Sequence, residues 1–262
     1  MFRFLASRRW LVRTLAGLVL VLVFVRLGVW QLDRAEQRSE RNTVVEANVD
    51  AAPVPADELL EAGEPIDRDE EWRQVELTGR YDVEHQLVVR LRPLDGNPGV
   101  HVLTPLIGAS GTALLVDRGF VAVDGPATEI PDVPAPPAGE VDVIARVRQS
   151  EEGRGTGGDP AQGRIRYIDV DDLAGTMPYP IYGAWSELIS ESPEPAEPLT
   201  ALPPPATDAG PHLSYAIQWF LFACIGIGGF IVLVRAEARG RRELEAEQQE
   251  PVAADDRATP PS

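Results

Sequence analysis

The sequence predicts an α+β membrane protein: two transmembrane helices, one near each end, flank one mainly antiparallel β domain with a curled or barrel-like sheet. Three observations predict this class. An apolar stretch lies near each end of the 262-residue chain. The long segment between them contains short alternating runs of the kind that form strands. No helical crossover pattern separates these runs, which favours antiparallel pairing.

The first apolar stretch, residues 10–30, is predicted to be a transmembrane helix. It contains Arg13 and Arg26 near its ends, where long side chains can carry their charge to the membrane surface. A secretory signal peptide also has a basic start and an apolar core, but no small-residue cleavage site follows Arg26. Trp10 and Trp30 lie about one bilayer apart, as interfacial aromatic residues do. These flanks favour an uncleaved helix that continues beyond the membrane.

The second apolar stretch, residues 211–234, is the clearer transmembrane helix. From Tyr215 to Val234 only Gln218 is strongly polar, and a helix of this length spans about 30 Å, the thickness of the hydrocarbon core. The single cysteine, Cys224, lies inside it. No disulfide within one chain is therefore possible.

Arginine placement predicts the orientation. Arginines precede the first helix in residues 1–9 and follow the second in residues 235–262, so both termini are expected in the cytoplasm and the central domain outside the plasma membrane. The end of the C-terminal segment is acidic and predicted to be disordered. Residues 31–214 carry 34 of the 41 acidic residues, which argues against nucleic acid as a partner but does not identify another one. Membrane lipid is expected around the two apolar stretches because of their length and composition.

The central domain, residues 31–210, reads as a series of strands. Loops are predicted at residues 51–71, 124–139 and 151–163, with one helical turn at 56–61 inside the first, and a stiff linker with seven prolines at 191–211. A hairpin turn is predicted at Ala109–Gly111. The strands are expected at residues 72–81, 86–92, 100–107, 112–121, 140–148, 164–170 and 181–189.

No motif in the chain indicates an enzyme. Residues 153–158 match the glycine pattern of dinucleotide sites, but such a site requires a helix directly after the glycines. Asp159-Pro160 follows instead, and no amphipathic helix is predicted there, so this segment is predicted to be a loop. The sequence contains no nucleophile-elbow or zinc-protease motif and no paired cysteines for a metal. His85 and His101 fall in strand-like runs, so we expect them to be ordinary surface or half-buried residues.

His212 is the one residue with the chemistry of a metal ligand. It opens the second helix after Gly210 and Pro211, with Tyr215 and Trp219 on the same helical face. A helix N-terminus disfavours the imidazolium form, and a metal or haem iron requires neutral imidazole. The alternative is an interfacial aromatic belt residue without a ligand. Both interpretations stay open on these grounds.

Four segments together resemble the surfeit locus protein 1 family of cytochrome c oxidase assembly factors in its bacterial form. The chain departs from the family pattern at Gly210-Pro211, where asparagines are expected, at Ser214 for Gln and at Phe120 for Trp. The segments, in chain order, are Leu27–Arg34 (LGVWQLDR), Arg92-Pro93 with Gly99–Leu106 (GVHVLTPL), Val116–Val121 (VDRGFV) and His212–Phe220 (HLSYAIQWF).

The resemblance implies a non-enzymatic role in inserting haem a into oxidase subunit I, with haem a synthase as a further expected partner. Some bacterial members bind haem a through the histidine that corresponds to His212, which implies haem iron as its ligand. Residues expected at the same membrane depth complete the predicted haem site: Trp30, Gln31, Arg34, Tyr215 and Trp219. Arg34 or Arg118 would pair with a haem propionate. The alternative function is a scaffold that stabilises subunit I, or another membrane complex, without haem.

Overall fold

The computed structural model describes residues 6–123, 131–151, 153 and 155–249. The chain forms two compact units. One contains the two long helices, within residues 1–39 and 209–262, and the other is the β domain, residues 40–208. The predictions for the first residues of the basic N-terminus, for residues 124–130 of the 124–139 connection and for the tail beyond Gln249 fall outside the described residues.

The helical unit is built from α1, Arg8–Asn48, and α4, His212–Gln249. Both helices are long and apolar enough to cross a membrane, judged by length and composition. Large apolar side chains such as Leu15, Leu22 and Ile217 are more than half exposed, which suits lipid rather than water. The two predicted apolar helices are confirmed, and α1 continues well past residue 30, as its sequence indicated. Its last turns belong to the β domain.

The β domain contains a mixed sheet of eight strands, in the order β1-β2-β6-β8-β5-β4-β3-β7. Strand β2 also pairs with β4, so β2, β6, β8, β5 and β4 form a ring. Five pairings are antiparallel and three are parallel. The strands are β1 (Val54–Pro55), β2 (Gln74–Tyr81), β3 (Leu87–Val89), β4 (Gly99–Gly108), β5 (Ala113–Ala122), β6 (Val141–Arg148), β7 (Arg164–Ile165) and β8 (Ile181–Ser192).

Two hydrophobic clusters form the core of this domain, one on each face of the sheet. Leu114 and Val116 of β5 belong to the first cluster, whereas Leu115 between them belongs to the second. This alternation follows from the period of two along a strand. All five strands of the ring contribute to the first cluster, while β3, β7 and the short helix α3 (Val170–Ala174) pack in the second.

The α+β class with a curled sheet is confirmed, and the structure differs from the predicted elements in three places. The run at 164–170 is a two-residue strand that leads into α3, because Asp169 caps a helix by accepting a hydrogen bond from the Asp172 amide. The first loop contains the helical turn predicted within it, α2 (Ala56–Leu59), and in addition the strand β1, which was not predicted. The segment predicted as a linker pairs with the sheet, since Thr200 and Phe120 exchange backbone hydrogen bonds.

Candidate functional site

The N-terminus of α4 places His212 on the face of the helix that looks toward α1. Gly210 adopts a φ of +63°, which turns the chain into the helix, and Pro211 precedes the first helical residue. The Pro211 carbonyl accepts from the Tyr215 amide at 3.1 Å and from the Ser214 hydroxyl at 2.7 Å. The first turn is therefore closed, and the imidazole of His212 has a defined direction.

His212 meets Gln31 of α1. The Nδ1 atom of His212 lies 2.9 Å from Oε1 of Gln31, and both side chains are half-buried. The two residues are 181 positions apart in the chain, so the contact exists because α1 and α4 pack side by side. Of the predicted site residues, Gln31 is the one that the structure joins directly to His212.

The two helices also pack closely in the apolar region next to the His212–Gln31 pair. The ring of Phe220 lies against Gly28, where a Cβ atom would come within 2.8 Å of two ring carbons. Farther along, Phe24 stacks on Trp219 with ring centroids 5.7 Å apart, and Trp10 meets Phe230 edge-on at 6.5 Å. Small residues and aromatic rings thus hold the two helices together in the apolar region.

The remaining predicted site residues take different positions. Trp219 lies on the helix-facing side of α4, two turns beyond His212, but its ring contacts Phe24 and Phe222. Trp30 and Tyr215 are about half exposed on the outer surfaces of their helices. Arg34 is exposed and donates a hydrogen bond to Gln37. In the described part of the chain, the hydrogen bonds and ion pairs of His212 do not include Trp30, Tyr215 or Arg34.

Conventional metal centres are missing from the described residues, since no group of three His, Cys, Asp or Glu side chains converges there. His212 would supply a single imidazole nitrogen. One imidazole suits the axial position of a haem, whose porphyrin supplies the other ligands, and does not suit a free zinc or copper ion. The donor chemistry at His212 therefore fits haem iron.

Arg118, the other arginine predicted to pair with a haem propionate, is buried inside the β domain. Arg118 is only 3% exposed; its guanidinium carbon lies 5.5 Å from the Tyr81 ring centroid and Nη1 donates to the Pro134 carbonyl. Burial lowers the pKa of Arg118, and burial together with the nearby Glu191 charge raises the pKa of Tyr81. Arg118 is thus a buried structural residue of the domain, and its arrangement does not present a free cation on the surface.

Comparison with known proteins decides the family. The family model described as "SURF1 family" matches residues 18–224, which include α1, the β domain and the first part of α4. The chain belongs to the SURF1 family. Membership implies a role as an assembly factor for cytochrome c oxidase, and the SURF1 family is one of assembly factors rather than a known family of enzymes.

Relatives of this SURF1 chain come from Mycobacterium species and from Monosiga brevicollis. Uncharacterized SURF1-like proteins of Mycobacterium tuberculosis (strain ATCC 25618 / H37Rv) and Mycobacterium bovis are each 32% identical to it over 248 residues, covering 93% of this chain and 90% of the relative. A SURF1-like protein of Monosiga brevicollis is 27% identical over 244 residues, covering 80% and 82%. The similarity therefore extends over helices and β domain together.

Proposed function

We propose that the protein is a membrane-anchored assembly factor for cytochrome c oxidase that holds haem a at His212 and presents it to subunit I. Haem a is the cargo, and it supplies the electron-transfer and oxygen chemistry of the finished oxidase. The observation that carries the proposal is a half-buried imidazole with a fixed direction at the end of a pair of apolar helices.

The surroundings of His212 suit a ligand that is both apolar and metal-containing. Leu213 and Ile217 on α4 and Leu32 on α1 expose large apolar side chains, against which a porphyrin and its long apolar tail would be shielded from water. Trp30 and Tyr215 expose aromatic rings at similar positions along their helices. Arg34 is exposed one turn beyond Gln31, and its guanidinium would pair with a haem propionate.

The topology that goes with this role follows from the arginines. With both termini in the cytoplasm, the N-terminus of α4 and the β domain lie on the outer side of the plasma membrane. Fusions of a cytoplasm-active reporter at either terminus should be active, and a fusion in the loop at residues 194–197, after β8, should be inactive. An active reporter at the internal site would contradict this topology.

The proposal is tested by the haem content of the purified protein. The full-length chain is co-expressed with haem a biosynthesis, purified in detergent, and its bound haem measured by absorbance. His212→Ala should lower the bound haem by at least about tenfold, since the ligand to iron is lost. His85→Ala is the matched control: His85 lies in the β domain beside Asp82, and its loss should leave the haem content unchanged.

Two results would contradict haem carriage. One is a wild-type preparation that stays colourless under these conditions. The other is a His212→Ala protein that keeps its haem. If His212→Ala also leaves oxidase assembly intact in cells, the scaffold function without haem is the better description.

A further inference from the structure

The contact between Gln31 and His212 determines which nitrogen of the imidazole is free. The Oε1 atom of Gln31 is a carbonyl oxygen and can only accept a hydrogen bond. With Oε1 of Gln31 facing Nδ1 of His212 at 2.9 Å, the contact is a hydrogen bond only in the tautomer in which Nδ1 carries the hydrogen. A neutral imidazole has one N–H, so Nε2 keeps its lone pair. Among the described residues, the side-chain hydrogen bond of His212 is the one through Nδ1.

We propose that Gln31 is a positioning residue: it holds His212 as the Nδ1–H tautomer and so makes Nε2 the ligand atom. The tautomer assignment stands on the contacts of this chain alone. The assignment of Nε2 to iron rests on the proposed function. Histidines that bind metals commonly donate their other ring N–H to a nearby acceptor, which fixes both tautomer and ring orientation.

The packing of the helices is built around this contact. Gly28 lies one turn before Gln31 on the same face of α1. A Cβ atom there would meet Phe220 at 2.8 Å, so glycine is what lets α4 approach closely enough for the hydrogen bond. On the other side, a Cβ on Gly210 would lie 3.3 Å from Cδ2 of His212, the ring carbon bonded to Nε2. Glycine at 210 therefore keeps this edge of the ring open.

The hydrogen-bond acceptor of His212 is the amide of Gln31 and not a carboxylate, which affects how strongly the imidazole would bind haem iron. A carboxylate in the same place would form a charge-assisted hydrogen bond, about twice as strong, and would raise the basicity of the imidazole further. A neutral amide orients the ring with less electron donation to the iron. Gln31 thus suits a ligand that must be held and then released.

The tautomer is measured first, in the protein without haem. Full-length protein labelled with ¹⁵N-histidine is placed in detergent micelles at pH 8, and the ring nitrogen shifts of its three histidines are recorded. The signal of His212 is identified by its absence in His212→Ala. The wild type should show protonated Nδ1 and unprotonated Nε2. Gln31→Leu should shift His212 toward the Nε2–H form that free histidine prefers in water.

Three matched variants complete the test. Gln31→Glu keeps an acceptor and should keep the Nδ1–H form. Gln218→Leu removes an exposed glutamine from the same helix pair and should leave the His212 signals at their wild-type positions. Gly28→Ala should weaken the Nδ1 hydrogen bond by separating the helices. An Nε2–H tautomer in the wild type, or an unchanged tautomer in Gln31→Leu, would overturn the inference.

Haem binding is measured second and separates the two proposals. Haem a affinity should fall about 10- to 100-fold in Gln31→Leu, the usual cost of losing the acceptor behind a metal-bound histidine. In Gln31→Glu, the reduction potential of the bound haem should be lower than in the wild type. If the tautomer behaves as expected but the wild type binds no haem, the proposed function fails and the positioning role of Gln31 stands. Equal haem affinity and equal reduction potential in the wild type, Gln31→Leu and Gln31→Glu would overturn the assignment of Nε2 to iron.

Discussion

Replacing Arg148 with methionine should destabilise the β domain, because this guanidinium joins four side chains of the core. Its carbon lies 3.8 Å from the ring centroid of Trp72 and 5.2 Å from that of Trp185. Its nitrogens donate to Glu71 at 3.0 Å and to Glu187. Methionine keeps most of the aliphatic stem but removes every one of these contacts.

The magnitude follows from what is left behind. The side chain of Glu187 is only 9% exposed, and removing one partner of a buried ion pair typically costs about 3–5 kcal/mol. Arg146 remains 3.8 Å from Glu187, which reduces that loss, while the lost stacking on Trp72 adds about 0.5–2 kcal/mol. We expect the free energy of unfolding to fall by about 3 kcal/mol.

The pH dependence of this loss tests its cause. Burial raises the pKa of Glu187, and the charges of Arg148 and Arg146 oppose that rise. Without Arg148 the pKa of Glu187 rises further, so the folded variant binds a proton more tightly than its unfolded chain does. Its stability relative to the wild type should therefore recover as the pH falls from neutrality toward the ordinary pKa of glutamate, about 4.3.

Amide hydrogen exchange on the full-length protein in detergent measures both effects. The opening free energy of β6 and β8 is compared at pH 7.5 and 5.5 after correction for the intrinsic exchange rates. Arg166→Met is the control, since Arg166 is an exposed arginine 5.3 Å from the Tyr167 ring and its loss should cost less than about 1 kcal/mol. Equal losses in the two variants, or a deficit in Arg148→Met that grows on acidification, would refute the reasoning.

Two further predictions concern the ring of strands and one surface carboxylate. Gly79→Ala should lower the free energy of unfolding by about 1–3 kcal/mol, because the new Cβ atom would lie 2.4 Å from the Ile107 carbonyl oxygen, where β2 pairs with β4. Thermal unfolding measures this loss. Gly175→Ala is the control, since a Cβ atom there would have its nearest contact at an ordinary 3.6 Å. Burial alone would raise the pKa of Asp82, but hydrogen bonds from Tyr179 and His85 lower it. Tyr179→Phe removes the 2.7 Å hydrogen bond from the tyrosine hydroxyl to Asp82, so an NMR titration should show a higher pKa of Asp82. On acidification, the stabilisation that this carboxylate provides should then be lost at a higher pH than in the wild type. An unchanged pKa would show that the Tyr179 hydroxyl does not lower the pKa of Asp82.

Much of the β domain could be predicted from local patterns. Alternation marks β2 and β6, and the Gly111 turn, with its φ of +80°, joins β4 to β5 as its residues indicate. The parallel pairing of β5 with β8 could not be predicted from the sequence. The two strands are separated by more than fifty residues, and the sequence between them lacks the long helical pattern that usually connects parallel strands. The short strands β1 and β7 contain two residues each, too few to show a period.

The buried charges show a second limit of sequence reasoning. Arg118, Arg146 and Arg148 stand in strands where charged residues are expected to face water, yet all three are buried or half-buried. Their partners come from other strands, such as Glu187 of β8. An ion pair that stabilises a buried arginine depends on the register between strands, and local alternation does not contain that register.

In the candidate site, a residue's rotation about the helix axis decides whether it contacts His212, and its position along the axis alone does not. Gln31 and Trp30 were expected at one depth with His212, and depth alone does not separate them. Successive helical residues are rotated by about 100°, so when Gln31 faces α4 its neighbour Trp30 must face away, as its 52% exposure shows. The same rotation turns Tyr215 outward and brings Ala216 and Trp219 toward α1, where Ala216 is 1% exposed. Aromatic residues at the right depth therefore form the outer surface near the site, and the single amide of Gln31 makes the contact with His212.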